Sequence, residues 1–337
     1  MTRTRIGLLL GDPAGVGPEI VAKLLARMSD RPDIRFTVIG TPEMLAAGAE
    51  VAGVDLPPSL RRPSTAPGPD GQAPILIGIP TAEIGAIRFG EPSRAAGLYA
   101  LRSLQLAVEL VQARQIDAIV YAPLNKHAMK LGGFDEIDEM HFLARLFGCK
   151  HFFTELNQLD ELWTTRVTSH VPLRDVAALL STQRIIDATK LAAETMRRAG
   201  IARPRIAVAG LNPHAGDGGT IGQEDIEIIA PAVNALKAEG YAVEGPQSPD
   251  TVFLGARRGS CDLIVTMYHD QGQIALKAMG FERVVTLLGG LPVPAITASS
   301  GTAYDITGRN AASPEALIRA CDLARRLAET RAVPAPA

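Results

Sequence analysis

Short apolar runs of strand length alternate along this chain with longer segments whose apolar residues recur at helical spacing. The strand candidates are residues 6–10, 36–39, 118–121, 205–209 and 263–267. The helix candidates are residues 18–28, 95–113, 223–239 and 314–330. Because strands that alternate with helices are typical of βαβ units, the pattern predicts an α/β fold with largely parallel sheets.

The length of the chain bears on its domain organisation. Its 337 residues exceed the usual limit for a single hydrophobic core, so we expect two domains. No internal repeat is visible in the sequence. The Pro- and Gly-rich residues 56–74 indicate an exposed excursion, and residues 333–337 indicate a frayed tail.

Composition narrows the class of partner. A hydrophobic fraction of 47%, a charged fraction of 21% and a net charge of -2 are those of an ordinary globular protein. Such a balance offers no strong field for nucleic acid or for a membrane surface. A small-molecule substrate is therefore expected, with no nucleic acid and no membrane as partner.

Cysteines and apolar runs indicate the compartment. Cys149, Cys261 and Cys321 lie far apart without a CxxC pair, which argues against a disulfide framework and a thiolate zinc site. Residues 6–10 are too short for the apolar region of a signal peptide, and no run reaches the roughly 20 apolar residues that span a bilayer. We expect a cytoplasmic protein with reduced thiols.

Residues 11–19 read Gly-Asp-Pro-Ala-Gly-Val-Gly-Pro-Glu and lie between a predicted strand and a predicted helix. Glycines permit a tight turn and let a ligand approach the backbone closely. The GxGxxG spacing of a dinucleotide fingerprint is absent. The segment is therefore either a ligand-binding loop or simply a strand-to-helix turn.

Asn125 and Lys126 follow the predicted strand at residues 118–121. In open α/β sheets, ligands bind beyond the carboxyl ends of the strands, where these two residues would contact a substrate. The alternative is an ordinary solvated lysine beside a loop asparagine.

Three of the six histidines, His170, His214 and His269, occupy turn-like positions just after apolar runs. Neutral imidazole is the commonest protein metal ligand, and three histidines leave a coordination position open for a reacting oxygen. Each histidine alone is more often a hydrogen-bonded structural group, and their long separations carry no HExxH-type signal.

A loop rich in small residues precedes the last predicted helix, at residues 299–310. Small residues let a flat cofactor approach the backbone, and a carboxylate can accept a hydrogen bond from a ribose 2′-hydroxyl. The alternative is a Gly-rich turn. The candidate cofactor-binding residues are Gly301, Thr302, Ala303, Asp305 and Gly308.

Seven motifs along nearly the whole chain carry a family resemblance: GDPAGVGPEI, APLNK, SHVPLRD, GLNPHAGDGG, SPDTVF, MYHDQG and SGTAYDITGR. In this order they resemble the 4-hydroxythreonine-4-phosphate dehydrogenase family of vitamin B6 biosynthesis. The resemblance implies a two-domain fold like that of isopropylmalate dehydrogenase, with largely parallel sheets and a cleft between the domains. Residues 1–125 with 300–337 would form the first α/β domain. Residues 126–299 would form the second, with the metal ligands and the dimer interface.

The resemblance also implies the chemistry of the site. It predicts a homodimer with active sites at the interface, in which His170 and His214 of one subunit and His269 of the other bind a divalent metal. Zinc is the expected ion, with magnesium, manganese or cobalt as alternatives. NAD or NADP would bind partly against the loop from Gly301 to Gly308.

Departures from the family pattern concern the substrate. Where the family has Gly-His-Thr-Glu, residues 138–141 read Asp-Glu-Met-His, and the family's phosphate-binding asparagine and arginine fall on Thr286 and Ala295. The lysine is kept as Lys277. Because a bidentate arginine gives the strongest grip on phosphate, its loss predicts an unphosphorylated hydroxy acid or diol as substrate. The alternatives are 4-hydroxythreonine-4-phosphate itself or a terephthalate dihydrodiol.

The expected reaction oxidises a secondary alcohol, and a ketone formed β to a carboxylate would then lose carbon dioxide. Asn125, Lys277 and Thr286 are the substrate-binding candidates. Proton transfer or substrate orientation falls to Lys126, Asp250 or Asp270, which the sequence does not rank.

Two other function classes stay open at this point. A three-histidine metal hydrolase would use a metal-bound water and no cofactor, against which the loop from Gly301 to Asp305 argues. A binding or regulatory protein could keep the fold without catalysis, against which the three histidines argue.

Overall fold

The computed structural model describes residues 3–64, 73–82 and 84–330. Part of the predicted excursion, residues 65–72, and the whole predicted tail, residues 333–337, lie outside the described residues. The chain divides into two compact units: unit 1 comprises Met1–Cys149 with Leu291–Ala337, and unit 2 comprises Lys150–Gly290. These boundaries differ from those expected after residues 125 and 299, and the assignment of functions to domains stays a prediction.

Regular elements account for most of the described chain. The strands are β1 (Thr4–Leu9), β2 (Ile34–Gly40), β3 (Ile75–Gly78), β4 (Ala118–Tyr121), β5 (Thr154–Leu159), β6 (Leu162–Arg166), β7 (Ile206–Ala209), β8 (Val243–Gln247), β9 (Leu263–Thr266), β10 (Val285–Gly289) and β11 (Ala295–Ala298). The helices are α1 (Gly17–Met28), α2 (Pro42–Ala52), α3 (Arg94–Gln112), α4 (Lys126–Leu131), α5 (Glu139–Phe147), α6 (Val176–Leu179), α7 (Thr182–Arg198), α8 (Ala230–Ala238), α9 (Val252–Arg257), α10 (His269–Gly280) and α11 (Glu315–Glu329).

In unit 1 the strands lie in the order β3-β2-β1-β4-β11, and every neighbouring pair is parallel. Parallel strands that are covered on both faces consist of nearly continuous apolar residues, and β4 reads Ala-Ile-Val-Tyr with all four residues buried. Helices α1 and α11 both pack in this unit, and α11 contacts β1, β4 and β11.

In unit 2 the order is β10-β5-β6-β9-β7-β8. β5 pairs antiparallel with both β10 and β6, whereas β6, β9, β7 and β8 pair in parallel. Helix α7 buries Ile185, Ala188, Ala192 and Met196, which recur at helical spacing and form one apolar face. Ser181 caps the first turn of α7 by accepting a hydrogen bond from the Arg184 amide.

One predicted helix, residues 223–239, has an irregular start. It opens as a π-helical turn, Asp225–Ile229, before α8 continues. Pro231 lies in the first turn of α8 and has no amide proton to donate, so the regular hydrogen-bond ladder is interrupted at this point.

An ion-pair motif occurs once in each unit. Arg5 donates from its backbone amide, Nε and Nη2 to Asp117 at 2.9, 2.9 and 2.6 Å. Arg205 donates from the same three groups to Asp262 at 2.8, 3.0 and 2.6 Å. Arg5 is the second residue of β1 and Arg205 directly precedes β7, and each aspartate directly precedes the parallel neighbouring strand. The sequence did not reveal this structural repeat.

The α/β class and the largely parallel arrangement of strands are confirmed. Within the described ranges, every helix is too short or too polar to cross a bilayer.

Candidate active site

Three loops of unit 1 follow the carboxyl ends of adjacent parallel strands. β1 ends at Leu9, β4 at Tyr121 and β11 at Ala298, and these strands are neighbours in the sheet. Because parallel strands end at a common edge, the loops after them converge. We call the three loops, residues 10–17, 122–125 and 299–308, the loop cluster.

Backbone and side-chain hydrogen bonds join the loop cluster. The Val16 amide donates to the Thr302 carbonyl at 3.0 Å, and the Asp12 amide donates to the Pro123 carbonyl at 2.9 Å. Asn125 Nδ2 lies 3.5 Å from Thr302 Oγ1. Each loop is therefore bonded to at least one of the others, and the cluster forms one edge of unit 1.

The buried Asp12 and the partly buried Tyr304 form the centre of the loop cluster. Asp12 is 1% exposed, and its Oδ1 accepts from the Ala14 amide at 2.8 Å. Its Oδ2 accepts from the Tyr304 hydroxyl at 2.7 Å. Burial raises the pKa of Asp12, and the bonds from Tyr304 and Ala14 oppose that rise. Burial also raises the pKa of Tyr304, as does the neighbouring Asp12.

Two glycines of the loop cluster lie in close contact with neighbouring backbone. A Cβ on Gly15 would lie 2.6 Å from the Thr302 carbonyl oxygen, and one on Gly11, at φ +71°, would lie 2.5 Å from that of Ala122. At these two positions the close approach is made by the chain itself. These glycines let the three loops pack directly on one another.

The structure resolves the candidate cofactor loop into buried and exposed positions. Thr302 is buried, Ala303 has φ 47°, and Gly301, Asp305 and Gly308 are exposed. A left-handed conformation is strained for alanine and marks a backbone that its surroundings hold in place. A small cavity of about 30 Å³ adjoins this loop and is lined by Gly15, Pro18, Glu19, Ala47, Gly48, Val51, Phe89, Thr307 and Gly308.

Asn125 and Lys126 lie at the start of α4. Asn125 Oδ1 accepts from the Ala128 amide at 2.9 Å and so caps the helix. Lys126 is the first helical residue and is exposed. The asparagine is therefore committed in part to structure, whereas the lysine side chain extends into solvent.

The three candidate metal ligands follow three neighbouring strands of unit 2. β6, β9 and β7 are adjacent and parallel, and His170, His269 and His214 come after their respective carboxyl ends. This arrangement directs three histidine-bearing turns to one edge of the unit. The three turns, although distant in the sequence, therefore lie at the same edge of unit 2.

His170 and His269 are in contact, with ring centroids 5.6 Å apart at an interplanar angle of 39°. His170 and His214 each have φ 54°. Left-handed backbone at non-glycine residues is strained and collects at functional sites. The family assignment of His269 to a partner subunit stays a prediction, and in this chain it adjoins His170.

His269 has the surroundings of a metal ligand. Its Nδ1 is 2.6 Å from Asp270 Oδ1, so the carboxylate fixes the ring orientation and leaves Nε2 as the ligand atom. Burial lowers the pKa of His269 and Asp270 opposes the shift. The side chain is therefore biased towards the neutral form that binds metals.

The turn that carries His214 is held by a buried carboxylate. Asp225 is 0% exposed and accepts from the amides of Leu211 and Asn212 at 2.9 and 3.2 Å. Asp250 is exposed. The hydrogen bond from the Ser248 hydroxyl is the main cause that lowers the pKa of Asp250, and His214 lowers it further. His214 and Asp250 are thus within electrostatic reach of each other.

Sequence reasoning missed a network of buried polar residues in unit 2. Asn157 is 1% exposed, and its Oδ1 accepts from Arg166 Nη1 at 3.0 Å and from Gln273 Nε2 at 2.6 Å. Arg166 also forms an ion pair with the buried Glu155. The sequence offered no signal for this network, because β5 reads Thr-Glu-Leu-Asn-Gln-Leu and was not among the predicted strands.

The substrate-binding candidates in unit 2 contact different partners. Thr286 Oγ1 accepts from Asn157 Nδ2 at 2.8 Å. Lys277 is exposed, with Nζ 5.8 Å from the ring centroid of Phe281. Thr286 thus adjoins the buried Asn157, whereas Lys277 lies near an exposed aromatic ring.

Two of the phosphate-pattern departures lie in unit 1. Asp138 is 1% exposed, and its Oδ1 accepts from the His141 amide at 3.0 Å and lies 2.7 Å from His141 Nδ1. Its charge is thus engaged in capping α5. Ala295 lies in β11 and is 0% exposed, so no side chain at this position reaches solvent.

Comparison with known proteins identifies the family. The family model described as pyridoxal phosphate biosynthetic protein PdxA matches residues 33–324. This chain belongs to the PdxA family. The predicted resemblance is thereby confirmed.

Proteins similar to this PdxA family member are named as dehydrogenases. A Pseudomonas aeruginosa protein, named provisionally as 4-hydroxythreonine-4-phosphate dehydrogenase 2, is 43% identical over 97% of this chain and 98% of its own. A Klebsiella pneumoniae 4-hydroxythreonine-4-phosphate dehydrogenase structure has 36% identity and a TM-score of 0.82, covering 97% of this chain and 98% of its own. These names support an oxidoreductase.

A dehydrogenase named for an unphosphorylated substrate is also similar in structure. A terephthalate 1,2-cis-dihydrodiol dehydrogenase from Burkholderia xenovorans has 27% identity and a TM-score of 0.65, covering 96% of this chain and 98% of its own. Enzymes named for phosphorylated and for unphosphorylated substrates thus share this fold.

Proposed function

We propose that this PdxA family member is a divalent-metal-dependent, NAD-dependent dehydrogenase that oxidises a secondary alcohol. The proposal rests on one observation: His170, His269 and His214 each follow the carboxyl end of one of three adjacent parallel strands of unit 2. The ring contact between His170 and His269 and the carboxylate on His269 Nδ1 suit a metal ligand set. We propose zinc as the ion, with magnesium, manganese or cobalt as alternatives.

These histidines would hold a divalent cation that would lower the pKa of the substrate alcohol, and a bound nicotinamide would supply the hydride acceptor. Asp270 orients the His269 ring through the 2.6 Å contact at Nδ1. Its bond to the histidine favours a positioning role over proton transfer. Lys126 and Asp250, both exposed side chains, remain the candidates that receive or deliver the proton.

The cofactor proposal concerns the loop cluster. Gly301, Asp305 and Gly308 expose backbone and a carboxylate at the edge where β1, β4 and β11 end. Thr302 and Ala303 hold this loop in place, through the bond from Val16 and the strained backbone. We propose that these five residues bind NAD, with NADP as the alternative.

We further propose an unphosphorylated hydroxy acid or diol as substrate. Phosphate binding relies on several charge-assisted donors, each worth about 1.5 to 3 kcal/mol. Thr286 is engaged by Asn157 and Ala295 is buried, so neither adds a charged donor, and Lys277 remains. The similarity to the terephthalate dihydrodiol dehydrogenase structure supports this choice.

A second candidate substrate is 4-hydroxythreonine-4-phosphate. It is favoured by the names of the 43% identical Pseudomonas aeruginosa relative and the Klebsiella pneumoniae structure. Asp138, whose charge is engaged by His141, also repels a phosphate less than its sequence suggested. In that case the chain would serve vitamin B6 biosynthesis.

We also propose that the enzyme works as a cytoplasmic homodimer whose active sites lie at the interface. The family resemblance supports the dimer, and three free cysteines fit a reducing compartment. Two of them, Cys261 and Cys321, are buried.

The experiment that tests the proposed function is a turnover screen. Purified protein is incubated with NAD or NADP, a divalent metal, and hydroxy acids and diols with and without phosphate, and reduced nicotinamide and carbon dioxide are measured. Chelation, His170→Ala, His214→Ala and His269→Ala should each abolish turnover. Full turnover in metal-free protein contradicts the metal site. A higher specificity constant for the phosphorylated compound would contradict the unphosphorylated substrate and favour 4-hydroxythreonine-4-phosphate.

A further inference from the structure

Helix α10 carries two glutamines, Gln271 and Gln273, shortly after His269. Gln271 bonds the segment that follows β7. Gln271 Oε1 accepts from the Met267 amide at 2.7 Å. Its Nε2 donates to the Gly210 carbonyl at 2.8 Å. Gly210 directly follows β7 and leads into the turn that carries His214. Gln271 therefore ties the first turn of α10 to the segment before His214.

Gln273 ties the same helix to the segment before His170. Its Nε2 donates to Asn157 Oδ1 at 2.6 Å, and Arg166 Nη1 donates to that same oxygen at 3.0 Å. Arg166 Nε in turn donates to Ser169 Oγ at 2.9 Å. Ser169 is the neighbour of His170 in the chain. A continuous series of hydrogen bonds thus runs from α10 to the His170 turn.

These bonds lie in the interior of unit 2. Gln273 is 7% exposed, Asn157 1% and Arg166 4%, and Glu155 neutralises the arginine. In a low-dielectric interior a hydrogen bond is directional, and leaving one partner unpaired costs more than the bond itself contributes. The network therefore resists displacement of any one member.

We propose that Gln271 and Gln273 are positioning residues that hold the start of α10, and with it His269, in place within unit 2. The role rests on the proposed metal site. It holds in whichever subunit's site the His269 imidazole serves, because both glutamines act on the helix that carries it. Groups that hydrogen-bond directly to a metal ligand typically account for about 10- to 100-fold in metal affinity, and we take this range for residues that fix the ligand's helix.

The test measures the affinity of metal-free protein for Zn²⁺ by isothermal titration calorimetry. Gln271→Met and Gln273→Met should each weaken Zn²⁺ binding by about 10- to 100-fold. The matched control is Gln158→Met, since Gln158 Nε2 also donates to a carbonyl, that of Asp160, at 2.9 Å. That bond lies at the β5–β6 turn, at the opposite end of β6 from His170. The control should bind Zn²⁺ like wild type.

Two further variants keep the test decisive if a methionine variant folds poorly. Gln271→Glu keeps an acceptor for the Met267 amide and loses the donor to Gly210, so Zn²⁺ binding should weaken as in Gln271→Met. Asn157→Asp keeps the acceptor for Arg166 and Gln273 and should retain most of the affinity that Asn157→Leu loses. Combining Asn157→Leu with Gln273→Met should add nothing, because both remove the same bond.

Each outcome has a defined meaning. Wild-type Zn²⁺ affinity in both methionine variants overturns the positioning role and leaves the metal site intact. An equal loss in Gln158→Met overturns it as well, since general destabilisation then explains the effect. If wild-type protein binds no Zn²⁺ at all, the proposed metal site fails and the positioning role fails with it.

Discussion

The hydroxyl of Tyr304 donates a 2.7 Å hydrogen bond to Oδ2 of Asp12, although 292 positions separate the two residues in the chain. This bond joins the loop after β11 to the loop after β1. Asp12 also accepts from the Ala14 amide and donates its own amide to Pro123. Asp12 therefore connects the three loops of the cluster, through its carboxylate to Tyr304 and through its backbone amide to Pro123.

Removing the Tyr304 hydroxyl should loosen the proposed cofactor loop. Tyr304→Phe leaves the buried Asp12 carboxylate without one charge-assisted donor, which should lower the free energy of unfolding by about 1.5 to 3 kcal/mol. The KM for NAD should rise while kcat changes little, because the substrate residues are untouched. Steady-state kinetics and urea denaturation measure both effects.

Tyr99→Phe is the matched control for this prediction. The Tyr99 hydroxyl is buried and accepts from the Thr41 amide at 2.9 Å, away from the loop cluster. This variant should lose stability and keep the wild-type KM for NAD. An unchanged KM in Tyr304→Phe would show that the loop does not bind the cofactor through this contact.

Periodicity predicted the strands and helices that are long or strongly apolar, such as β1, β4, α1 and α3. It missed the β5–β6 hairpin, because β5 reads Thr-Glu-Leu-Asn-Gln-Leu and carries the polar side chains of the buried network. A strand whose polar residues are satisfied by Arg166 and Gln273 looks like a surface loop when only its sequence is considered. The partners that justify its burial are distant in sequence.

The candidate site was likewise predicted only in part from the sequence. The three histidines could be selected because each follows an apolar run, and strand order then brings their turns to one edge of unit 2. Asp12 and Tyr304 lie inside two of the seven motifs, but no local feature of the sequence predicts that their side chains meet. Sequence predicts which residues lie at strand ends, whereas which of them pair depends on strand order.

Substitution by alanine should lower the folding stability at Gly15 and leave it unchanged at Gly301. A Cβ on Gly15 would lie 2.6 Å from the Thr302 carbonyl oxygen, so Gly15→Ala should cost about 1 to 3 kcal/mol of stability and raise the KM for NAD. A Cβ on Gly301 meets nothing within 4 Å. Gly301→Ala should therefore fold like wild type.

The pair separates folding from cofactor binding. If Gly301→Ala is as stable as wild type and binds NAD more weakly in a fluorescence titration, the exposed glycine backbone contacts the cofactor. Wild-type stability in Gly15→Ala would contradict the tight packing of the loops.

Asp262 should make folding stability depend on pH. The bonds from Arg205 lower the pKa of this carboxyl below its ordinary value of 3.8. A lowered carboxyl pKa gives stability that is present above the ordinary value and lost as the pH falls through the lowered one. Because the pair is partly exposed, Asp262→Asn should cost only about 0.5 to 1 kcal/mol at neutral pH.

Urea denaturation at several pH values checks this prediction. The difference between wild type and Asp262→Asn should shrink towards zero between pH 4 and pH 2. The exposed Asp30, as Asp30→Asn, serves as control and should show no such trend. A difference that persists unchanged at pH 2 would mean that the ionised carboxylate is not its source.

Subunit mixing tests whether the metal site is shared. If His170 and His214 of one subunit meet His269 of another, mixing inactive His170→Ala with inactive His269→Ala protein should restore activity, since one of two sites in the heterodimer has a full ligand set. We expect recovery. Absence of recovery, with subunit exchange demonstrated by mass spectrometry, would assign the ligands to one chain, in which the two rings are already 5.6 Å apart.

Asp305 should set the choice between NAD and NADP. The residue is exposed in a short helical turn, Tyr304–Ile306, within the proposed cofactor loop. A carboxylate accepts hydrogen bonds from a ribose 2′-hydroxyl and repels a 2′-phosphate, so NAD should have the higher specificity constant. Asp305→Ala should reduce that preference by weakening NAD binding and relieving the repulsion of NADP. Arg309, also exposed, provides the counter-test, because an arginine that binds the 2′-phosphate would make Arg309→Ala selectively poorer with NADP. A wild-type preference for NADP, lost in Arg309→Ala and unaffected in Asp305→Ala, would transfer the selectivity from the carboxylate to the guanidinium.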